Sequence, residues 1–453
     1  MSESHHISSE SSQANRVNLE RERADETNLE RERTDEAGVE RRRADEAGAG
    51  GPVAGNKRHV FLDALRGFAL LGVCLANYPE FSLYTFQPDE VAAAMPSAGV
   101  DKIVKFIQYL FIDGKFYTLF SLLFGIGFSI IISHAEARGA DGFRIFYRRM
   151  LILALIGCTH LMLLWSGDIL LLYAVLGMLL PLFRNMKDRT ILLTAGVLLL
   201  IPVAVDSICE ATGTFPARYP YDKWWEYAGY YGITEANFGT WLRDAESYRG
   251  VHEFLIQGAW ERLYEFIEGN RYFKVMGLFL IGFTVGRHKI YADLGAHRHL
   301  LKKVALWGFI LGIPLSVFYA VSGVNGHLWG NGFHTLLYTV SVYPLGFAYA
   351  ALLGLICINH SHWKVWRWFA APGRMALTNY ISQSLIGIWL FYGIGLALGA
   401  SKGLGETELI ASGVFLFQMI FSMFWLKAFR FGPLEWIWRM LTYGKWLNIL
   451  SKP

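Results

Sequence analysis

Polar side chains of types that support acid–base chemistry interrupt several apolar segments of this chain. His160 lies inside one such segment, and Asp168 follows it in the turn WSGD. A histidine that titrates near neutral pH can act as a general base, and a carboxylate can orient it. Lys115 and Asn77 could stabilise an oxyanion on a reacting carbonyl group. His334 is a second choice for the base. Together these residue types suit acid–base chemistry at a carbonyl group.

A second group of polar side chains could bind a phosphate-bearing donor. Guanidinium groups form forked hydrogen bonds with phosphate oxygens, so clustered arginines are candidates for such a site. Taken singly, each arginine also fits the basic rim that membrane proteins carry on their cytoplasmic side. The candidate donor-binding residues are Asp63, Arg66, Arg148, Arg149, Arg374 and Asn379.

Asp63, Arg66 and Asn77 share one face of the helix that the first apolar segment predicts. Asp63 and Arg66 are three residues apart, and Asn77 follows Arg66 after about three helical turns. A lone histidine on an apolar helix is usually a helix–helix contact. Several polar side chains at one depth of a membrane protein favour a polar cavity instead, because ionisable groups are costly there.

The composition is that of a membrane protein. Of 453 residues, 53% are hydrophobic and 18% are charged, whereas soluble domains carry about 25% charged residues. The mean hydropathy is +0.29. The net charge of +4 includes no basic block suited to nucleic acid. The four cysteines form no Cys-x-x-Cys pair, so neither a disulfide framework nor a cysteine metal site is expected. We expect no metal site.

The apolar segments predict an all-α integral membrane protein, a polytopic bundle of about ten transmembrane helices. A helix that crosses the hydrocarbon layer needs about 20 mainly apolar residues. Such segments lie at residues 60–79, 113–133, 148–166, 168–184, 189–208, 272–290, 302–322, 333–358, 375–399 and 408–428.

The loops between these segments predict the orientation. Lys and Arg are concentrated in alternate loops, and loops of this kind stay in the cytoplasm. Both termini are therefore predicted to be cytoplasmic. With this topology the candidate catalytic residues lie in the outer half, and the candidate donor-binding residues lie on the inner side.

The chain divides into three parts. Residues 1–57 form a charged tail with a ten-residue repeat at 18–47, which predicts a mostly disordered cytoplasmic segment. Residues 58–446 form the membrane domain, and residues 447–453 form a short C-terminal tail. The loop at 209–271 is rich in Tyr and Trp, which fits an extracytoplasmic cap at the membrane interface. Its aromatic faces would also suit a sugar or lipid acceptor.

Five stretches of the sequence together resemble a known family. They are LDALRGFALLGVCLAN (62–77), DGKFYTLFSLLFGIGFSI (113–130), GCTHLMLLWSGDILLLYAVLG (157–177), APGRMALTNYISQSL (371–385) and GPLEWIWRMLTYG (432–444). The chain resembles the YeiB family of bacterial inner-membrane proteins, which carry domain of unknown function 418. The resemblance spans residues 58–446.

The opening helix is also similar to that of wider membrane acyltransferases. These include heparan-α-glucosaminide N-acetyltransferase and the acyltransferase-3 group, which use cytoplasmic acyl-CoA to acylate an acceptor on the other side. Arg66 and Gly67 match the Arg-Gly of that helix. Asn77 stands where the acyltransferase-3 group has a histidine, which agrees better with the glucosaminide enzyme. That enzyme has a histidine in its next outer loop, whereas residues 78–112 contain none.

Three functions are compatible with the sequence. The first is an acyl-CoA-dependent O- or N-acyltransferase that acts across the membrane on an extracytoplasmic sugar or lipid acceptor. The second is a transporter or flippase for a small polar or lipid-linked solute, because such proteins also have polar cavities at mid-depth. The third is a non-catalytic membrane partner or sensor. In each case we expect the lipid bilayer as a partner, no nucleic acid and no covalently bound cofactor, with acyl-CoA as a substrate in the first.

Overall fold

The protein is an all-α membrane bundle. The computed structural model describes residues 59–137 and 141–451. Within these residues the only β-type pairing is an isolated bridge between Phe429 and Leu450, so the predicted fold class is confirmed. The predicted tail at 1–57 and its ten-residue repeat lie outside the described residues, as do the last two residues of the predicted C-terminal tail.

The described α-helices are numbered here in chain order. They are α1 (Val60–Phe81), α2 (Asp89–Ala94), α3 (Ala98–Ile107), α4 (Lys115–Glu136), α5 (Gly142–Leu163), α6 (Leu170–Gly177), α7 (Asp188–Thr212), α8 (Arg218–Tyr230), α9 (Glu235–Phe238), α10 (Trp241–Asp244), α11 (Tyr248–Glu268), α12 (Arg271–Arg287), α13 (Arg298–Val324), α14 (Asn331–Asn359), α15 (Val365–Arg374), α16 (Ala376–Phe391), α17 (Leu404–Ala428) and α18 (Pro433–Tyr443).

Seven stretches of the described residues are helical, long and apolar enough to cross a membrane. They are α1, the stretch Ala98–Glu136 that contains α3 and α4, and α5, α7, α13, α14 and α17. The other three predicted spans fall on shorter helices: α6 with the 3₁₀ turn that follows it, the 17-residue α12 and the 16-residue α16. A 16-residue helix is about 24 Å long, which is less than the hydrocarbon thickness of about 30 Å. The predicted count of ten spans therefore stays a prediction.

Two glycines bring α1 and α15 into backbone contact. A Cβ atom on Gly67 would lie 1.9 Å from the carbonyl oxygen of Phe369, and one on Gly373 would lie 1.9 Å from that of Asp63. Only a residue without a Cβ atom fits at such a crossing. Because Arg66 precedes Gly67 and Arg374 follows Gly373, the crossing brings these two arginines to the same end of the bundle.

A second pair of glycines joins α4 to α12. A Cβ atom on Gly125 would lie 2.1 Å from the carbonyl oxygen of Phe279, and one on Gly282 would lie 2.1 Å from that of Leu122. The Gly-x-Gly at 125–127 thus contributes to helix packing through its first glycine. Gly127 has no atom within 4 Å of an added Cβ and borders a cavity instead.

The predicted outer loop is a folded helical cap. It contains α8 to α11, and α11 packs against α5 and α8. Val251, Phe254 and Leu255 of α11 are buried in the same core cluster as Tyr78 and Phe81 of α1. The cap is therefore part of the main core, and its helices cover the end of the bundle where α1 terminates.

Candidate functional site

A cavity of about 1220 Å³ follows α1 through the bundle. Its wall includes Asp63 and Arg66 near the start of α1 and Asn77 and Glu80 near its end. At 1.5 Å per residue, the stretch of α1 that borders the cavity is about 25 Å long. We call the two ends of the cavity the Arg66 end and the His334 end, after a residue that lines each.

Four arginines line the Arg66 end: Arg66, Arg149, Arg374 and Arg439. The carboxylates on the same part of the wall are Asp63 and Glu435, so positive charge is in excess there. Arg66 donates to Asp63 Oδ1 over 2.9 Å and to the Gly373 carbonyl oxygen over 3.4 Å. Such a wall attracts anions, and guanidinium groups suit phosphate oxygens.

Helix α18 supplies part of this end. Trp438 of α18 stacks under the guanidinium of Arg149, whose central carbon lies 3.7 Å from the ring centroid, and its indole N–H donates to the Arg149 carbonyl oxygen. Glu435, Arg439 and Tyr443 are spaced by four residues, share one face of α18 and all line the cavity. Sequence reasoning missed Arg439 as a site residue, although this spacing within GPLEWIWRMLTYG indicated a common face.

Glu435 positions α16 against this end of the cavity. Its carboxylate accepts hydrogen bonds from the backbone N–H of Leu377 (2.7 Å) and Thr378 (3.1 Å) and from the Thr378 hydroxyl (2.6 Å). It thereby caps donors that the first turn of a helix leaves without partners. Burial raises the pKa of the Glu435 carboxyl, and the hydrogen bonds from Thr378 and Leu377 oppose that rise.

Two of the predicted donor-binding residues do not line the cavity. Arg148 is exposed, whereas its neighbour Arg149 borders the cavity. Asn379 is buried, and its amide donates to Ser422 Oγ over 3.0 Å and to the Pro372 carbonyl oxygen over 3.3 Å. Asn379 therefore connects α16 to α17.

The His334 end contains polar groups from several helices. His334 Nδ1 lies 2.9 Å from Ser322 Oγ, and its ring stacks on His327 with centroids 3.9 Å apart. Asp113 accepts a hydrogen bond from the Tyr319 hydroxyl. This part of the wall carries more carboxyl groups than cationic groups. The carboxyl groups belong to Asp113, Glu80, Asp206, Glu210 and Glu268, and the cationic groups belong to Arg262, Arg271 and Lys274. The two ends of the cavity thus differ in their ionisable groups: arginines predominate at one end and carboxyl groups at the other.

The cap contributes a buried ion network beside this end. Arg262 of α11 donates to the Ser166 carbonyl oxygen over 2.7 Å and pairs with Glu80 over 3.6 Å and with Glu265. Burial, together with the carboxylates of Glu265 and Glu80, raises the pKa of Glu261 well above its usual range, and Arg262 opposes this. The network ties the cap to α1 and to the turn between α5 and α6.

The predicted oxyanion groups lie in different surroundings. Asn77 lines the cavity. Lys115 is fully buried and does not line it: the ammonium group donates to the Tyr109 carbonyl oxygen and lies 5.1 Å from the Tyr319 ring centroid. The structure therefore places Lys115 behind the group formed by Asp113, Tyr319 and His334.

His160 and Asp168, which were predicted to act together, are in direct contact. His160 Nδ1 lies 2.8 Å from Asp168 Oδ2, and His160 Nε2 lies 2.8 Å from Ser384 Oγ. Asp168 Oδ1 accepts a further hydrogen bond from the Leu171 backbone N–H over 2.8 Å. His160 belongs to α5, Asp168 to the turn that precedes α6, and Ser384 to α16. Sequence reasoning missed Ser384, and its only signal was its position in the stretch APGRMALTNYISQSL.

This three-residue chain lies directly behind the cavity wall. Tyr380 lines the cavity one helical turn before Ser384, and its ring centroid is 5.2 Å from that of His160. Gly167 and Ile169, the neighbours of Asp168 in sequence, also line the cavity. The Ser384–His160–Asp168 chain is thus next to residues of the cavity wall but does not itself line the cavity.

The site offers no arrangement typical of a metal centre. Among residues 59–137 and 141–451, no group of three or more His, Cys, Asp or Glu side chains is placed to hold a metal ion.

Comparison with known proteins assigns the chain to a family. Residues 285–445, which include α13 to α18, match the family described as "Protein of unknown function (DUF418)". A Bacillus subtilis (strain 168) protein, "Uncharacterized protein YxaH", is 30% identical over 415 residues, which is 88% of this chain and 98% of the relative. The chain belongs to the DUF418 family. The resemblance to the YeiB family is confirmed, because "Uncharacterized protein YeiB" of Escherichia coli (strain K12) is 30% identical over 411 residues, 85% of this chain and 96% of the relative.

A third DUF418 relative is similar over the same length. It is the "Uncharacterized 39.9 kDa protein in amylase 3'region" of Bacillus acidopullulyticus, 31% identical over 414 residues, 88% of this chain and 98% of the relative. The similarity to these relatives covers most of the chain, so it reaches both ends of the cavity. The names of these relatives state no activity, so the function must be argued from the site.

Proposed function

We propose that this DUF418 protein transfers an acyl group across the membrane, from a cytoplasmic acyl-CoA to an acceptor on the other side. One observation carries the proposal: a single cavity connects the arginine-lined Arg66 end with the His334 end. In the topology that the loop charges predict, the Arg66 end faces the cytoplasm. Donor and acceptor would then enter one site from opposite sides.

The Arg66 end supports binding of the donor. Coenzyme A carries several phosphate charges, and Arg66, Arg149, Arg374 and Arg439 place four guanidinium groups on one wall. Asp63 and Glu435 neutralise this wall only in part, since one pairs with Arg66 and the other caps α16. The pantetheine arm would extend along α1 towards the middle of the cavity.

The His334 end supports binding of the acceptor. Its excess of carboxylates disfavours anions and suits a neutral or cationic acceptor with hydroxyl or amine groups. His334 borders the cavity, and its Nε2 makes no hydrogen bond within the described residues, which leaves this nitrogen for the acceptor in the proposal. In this proposal His160, oriented by Asp168, is the general base, and Asn77 stabilises the oxyanion.

Acyl-CoA titration of the purified full chain tests the proposal. We expect acyl-CoA, but not ATP at the same concentration, to raise the thermal stability saturably. A ligand specific for the folded state adds about 2.7 kcal/mol at a hundredfold excess over its Kd. Arg66→Ala and Arg374→Ala should weaken the shift. Transfer of a radiolabelled acyl group to lipid or sugar fractions in inverted vesicles gives the second readout.

The matched control for the arginine variants is Arg148→Ala, because Arg148 carries the same charge on α5 but lies outside the cavity. No stabilisation by any acyl-CoA in folded protein would contradict the proposal. An equal loss in all three variants would mean that only net charge matters and that the cavity arginines do not form a site.

Transport of a polar solute is the second candidate function. The observation that favours it is the same cavity, because a polar cavity between the helices of a membrane bundle is where carriers bind their solutes. Counterflow of a solute in proteoliposomes without acyl-CoA would support this function. Strict dependence of all activity on acyl-CoA would exclude it.

A further inference from the structure

We propose that Ser384 is a nucleophile that carries the acyl group as a covalent ester between donor and acceptor. The inference rests on the proposed function and adds a catalytic residue to it. Ser384, His160 and Asp168 form a chain with two contacts of 2.8 Å, and each residue is 1% exposed. Nucleophile, base and orienting carboxylate in this order are the arrangement by which hydrolases and acyltransferases on unrelated folds activate a serine.

The hydrogen bonds fix the direction of the chain. A carboxylate can only accept, so His160 donates its Nδ1–H to Asp168. In the neutral ring Nε2 then carries the lone pair and accepts from the Ser384 hydroxyl. The Leu171 N–H holds the other oxygen of Asp168 and fixes its carboxylate plane. His160 is thus held in the tautomer that can take a proton from Ser384.

The contact of Ser384 differs from that of several other hydroxyl groups in this bundle. A serine or threonine inside an apolar helix usually bonds the carbonyl oxygen one turn earlier. Ser133, Ser341, Thr118, Thr284 and Thr339 all do so. Ser384 instead bonds a histidine that lies 224 residues away in sequence. Its hydroxyl is therefore committed to a base and not to its own helix.

The position of Ser384 suits a relay between two ends. It lies near the middle of the 16-residue α16, whose first turn is capped by Glu435 at the Arg66 end. Tyr380, one helical turn earlier on α16, lines the cavity, and its ring centroid lies 5.2 Å from that of His160, the partner of Ser384. Rotation of the Tyr380 ring would expose Ser384 at mid-cavity, within reach of a thioester from one end and an acceptor from the other.

The two steps are balanced without another reactant. In the first, Ser384 Oγ attacks the thioester carbonyl carbon while His160 Nε2 takes the hydroxyl proton. The C–S bond breaks, the proton passes to the leaving thiolate, and the acyl group remains as an ester on Ser384. In the second, an acceptor hydroxyl or amine attacks the ester and gives its proton to His160. The ester C–O bond breaks, and the proton returns to Ser384 Oγ.

Labelling of the purified full chain with a fluorophosphonate probe tests the serine without acyl-CoA. We expect one covalent label on Ser384, located by peptide mass spectrometry. Ser384→Ala should remove it, and His160→Gln should slow it by about a hundredfold, since an unassisted serine is a weak nucleophile. Ser382→Ala is the matched control, because it makes the same change two residues away on α16 and should label like the wild type.

Incubation with acyl-CoA then tests the relay. We expect a mass increase of one acyl group on Ser384 in the absence of acceptor, and no such increase in Ser384→Ala protein of normal thermal stability. Ser384→Cys should retain an acylated thiol. Neither probe label nor acyl adduct on Ser384 in the folded wild type would overturn the inference.

The two proposals fail in different ways. Acyl transfer at the wild-type rate by Ser384→Ala would overturn the nucleophile and leave acyl transfer intact. Labelling of Ser384 by the probe in a protein that binds no acyl-CoA would support the nucleophile and overturn acyl-CoA as the donor.

Discussion

The two histidines that could act as bases lie in contrasting surroundings. His160 is enclosed, and both of its ring nitrogens contact protein side chains, Asp168 and Ser384. His334 is half-buried, contacts Ser322 through one nitrogen and borders the cavity. An enclosed ring can exchange a proton only with the atom it touches. A ring on a cavity wall can meet a ligand.

This difference assigns different roles within the proposed reaction. His160 would act on Ser384, and through it on every acyl group that passes. His334 would position the acceptor at its own end of the cavity. Experiments in which the two histidines respond alike would contradict this assignment of roles.

The largest difference is expected in acyl transfer. His160→Ala should lower kcat by about a thousandfold or more, because it removes the base that activates the nucleophile. His334→Ala should lower kcat/KM for the acceptor by about tenfold, mainly through KM, because one hydrogen bond contributes about 1.4 kcal/mol. Steady-state transfer of labelled acyl groups measures both. Equal losses would show that the two histidines belong to one catalytic unit.

Chemical modification should separate the two histidines without any substrate. Diethyl pyrocarbonate carbethoxylates accessible imidazole nitrogens. We expect His334 to react at least about a hundredfold faster than His160, whose reaction requires local opening of the bundle. Peptide-level mass spectrometry over time gives both rates in one sample, and the exposed His327 is the internal reference. Comparable rates would show that the chain around His160 opens readily.

Substitution of His160 should also destabilise the folded protein more than substitution of His334. His160→Ala leaves the Asp168 carboxylate and the Ser384 hydroxyl buried without their partner, at a cost of about 2–4 kcal/mol. His334→Ala should change stability by less than about 1 kcal/mol, because water in the cavity can replace its contact. Thermal unfolding in one detergent measures the difference. The double variant His160→Ala with Ser384→Ala should recover part of the loss, since it removes one of the stranded polar groups.

The sequence predicted the helical class and the residue types of the site better than their partners. All ten apolar segments coincide with helices over most of their length, although the segment 375–399 is helical only to Phe391, because hydrophobic runs of this length have few alternatives. The pair His160–Asp168 was predicted because both residues lie at the same outer depth of the predicted bundle. Ser384 was not, because its contact with His160 depends on how α5 and α16 pack, and a serine is otherwise unremarkable in an apolar helix.

Local sequence patterns also could not predict the rotation of each helix about its own axis. Arg148 and Arg149 have the same type, charge and predicted depth, yet one is exposed and the other lines the cavity. Lys115 and Asp113 are two residues apart, yet Asp113 borders the cavity and Lys115 does not. Gly114, which lies between them, has a left-handed backbone with φ of 71°. Such differences arise from tertiary packing.

The smallest expected effect concerns donor binding and compares Arg149 with Arg148. Arg149→Ala should raise the Kd for acyl-CoA by about tenfold, because a charge-assisted hydrogen bond to phosphate contributes about 1.5 kcal/mol. Arg148→Ala should change it by less than about twofold, since an exposed charge is largely screened by salt. Isothermal titration with both variants gives the ratio. If Arg149 mattered as little as Arg148, the donor would not occupy the Arg66 end, and the excess positive charge there would be a feature of orientation in the membrane alone.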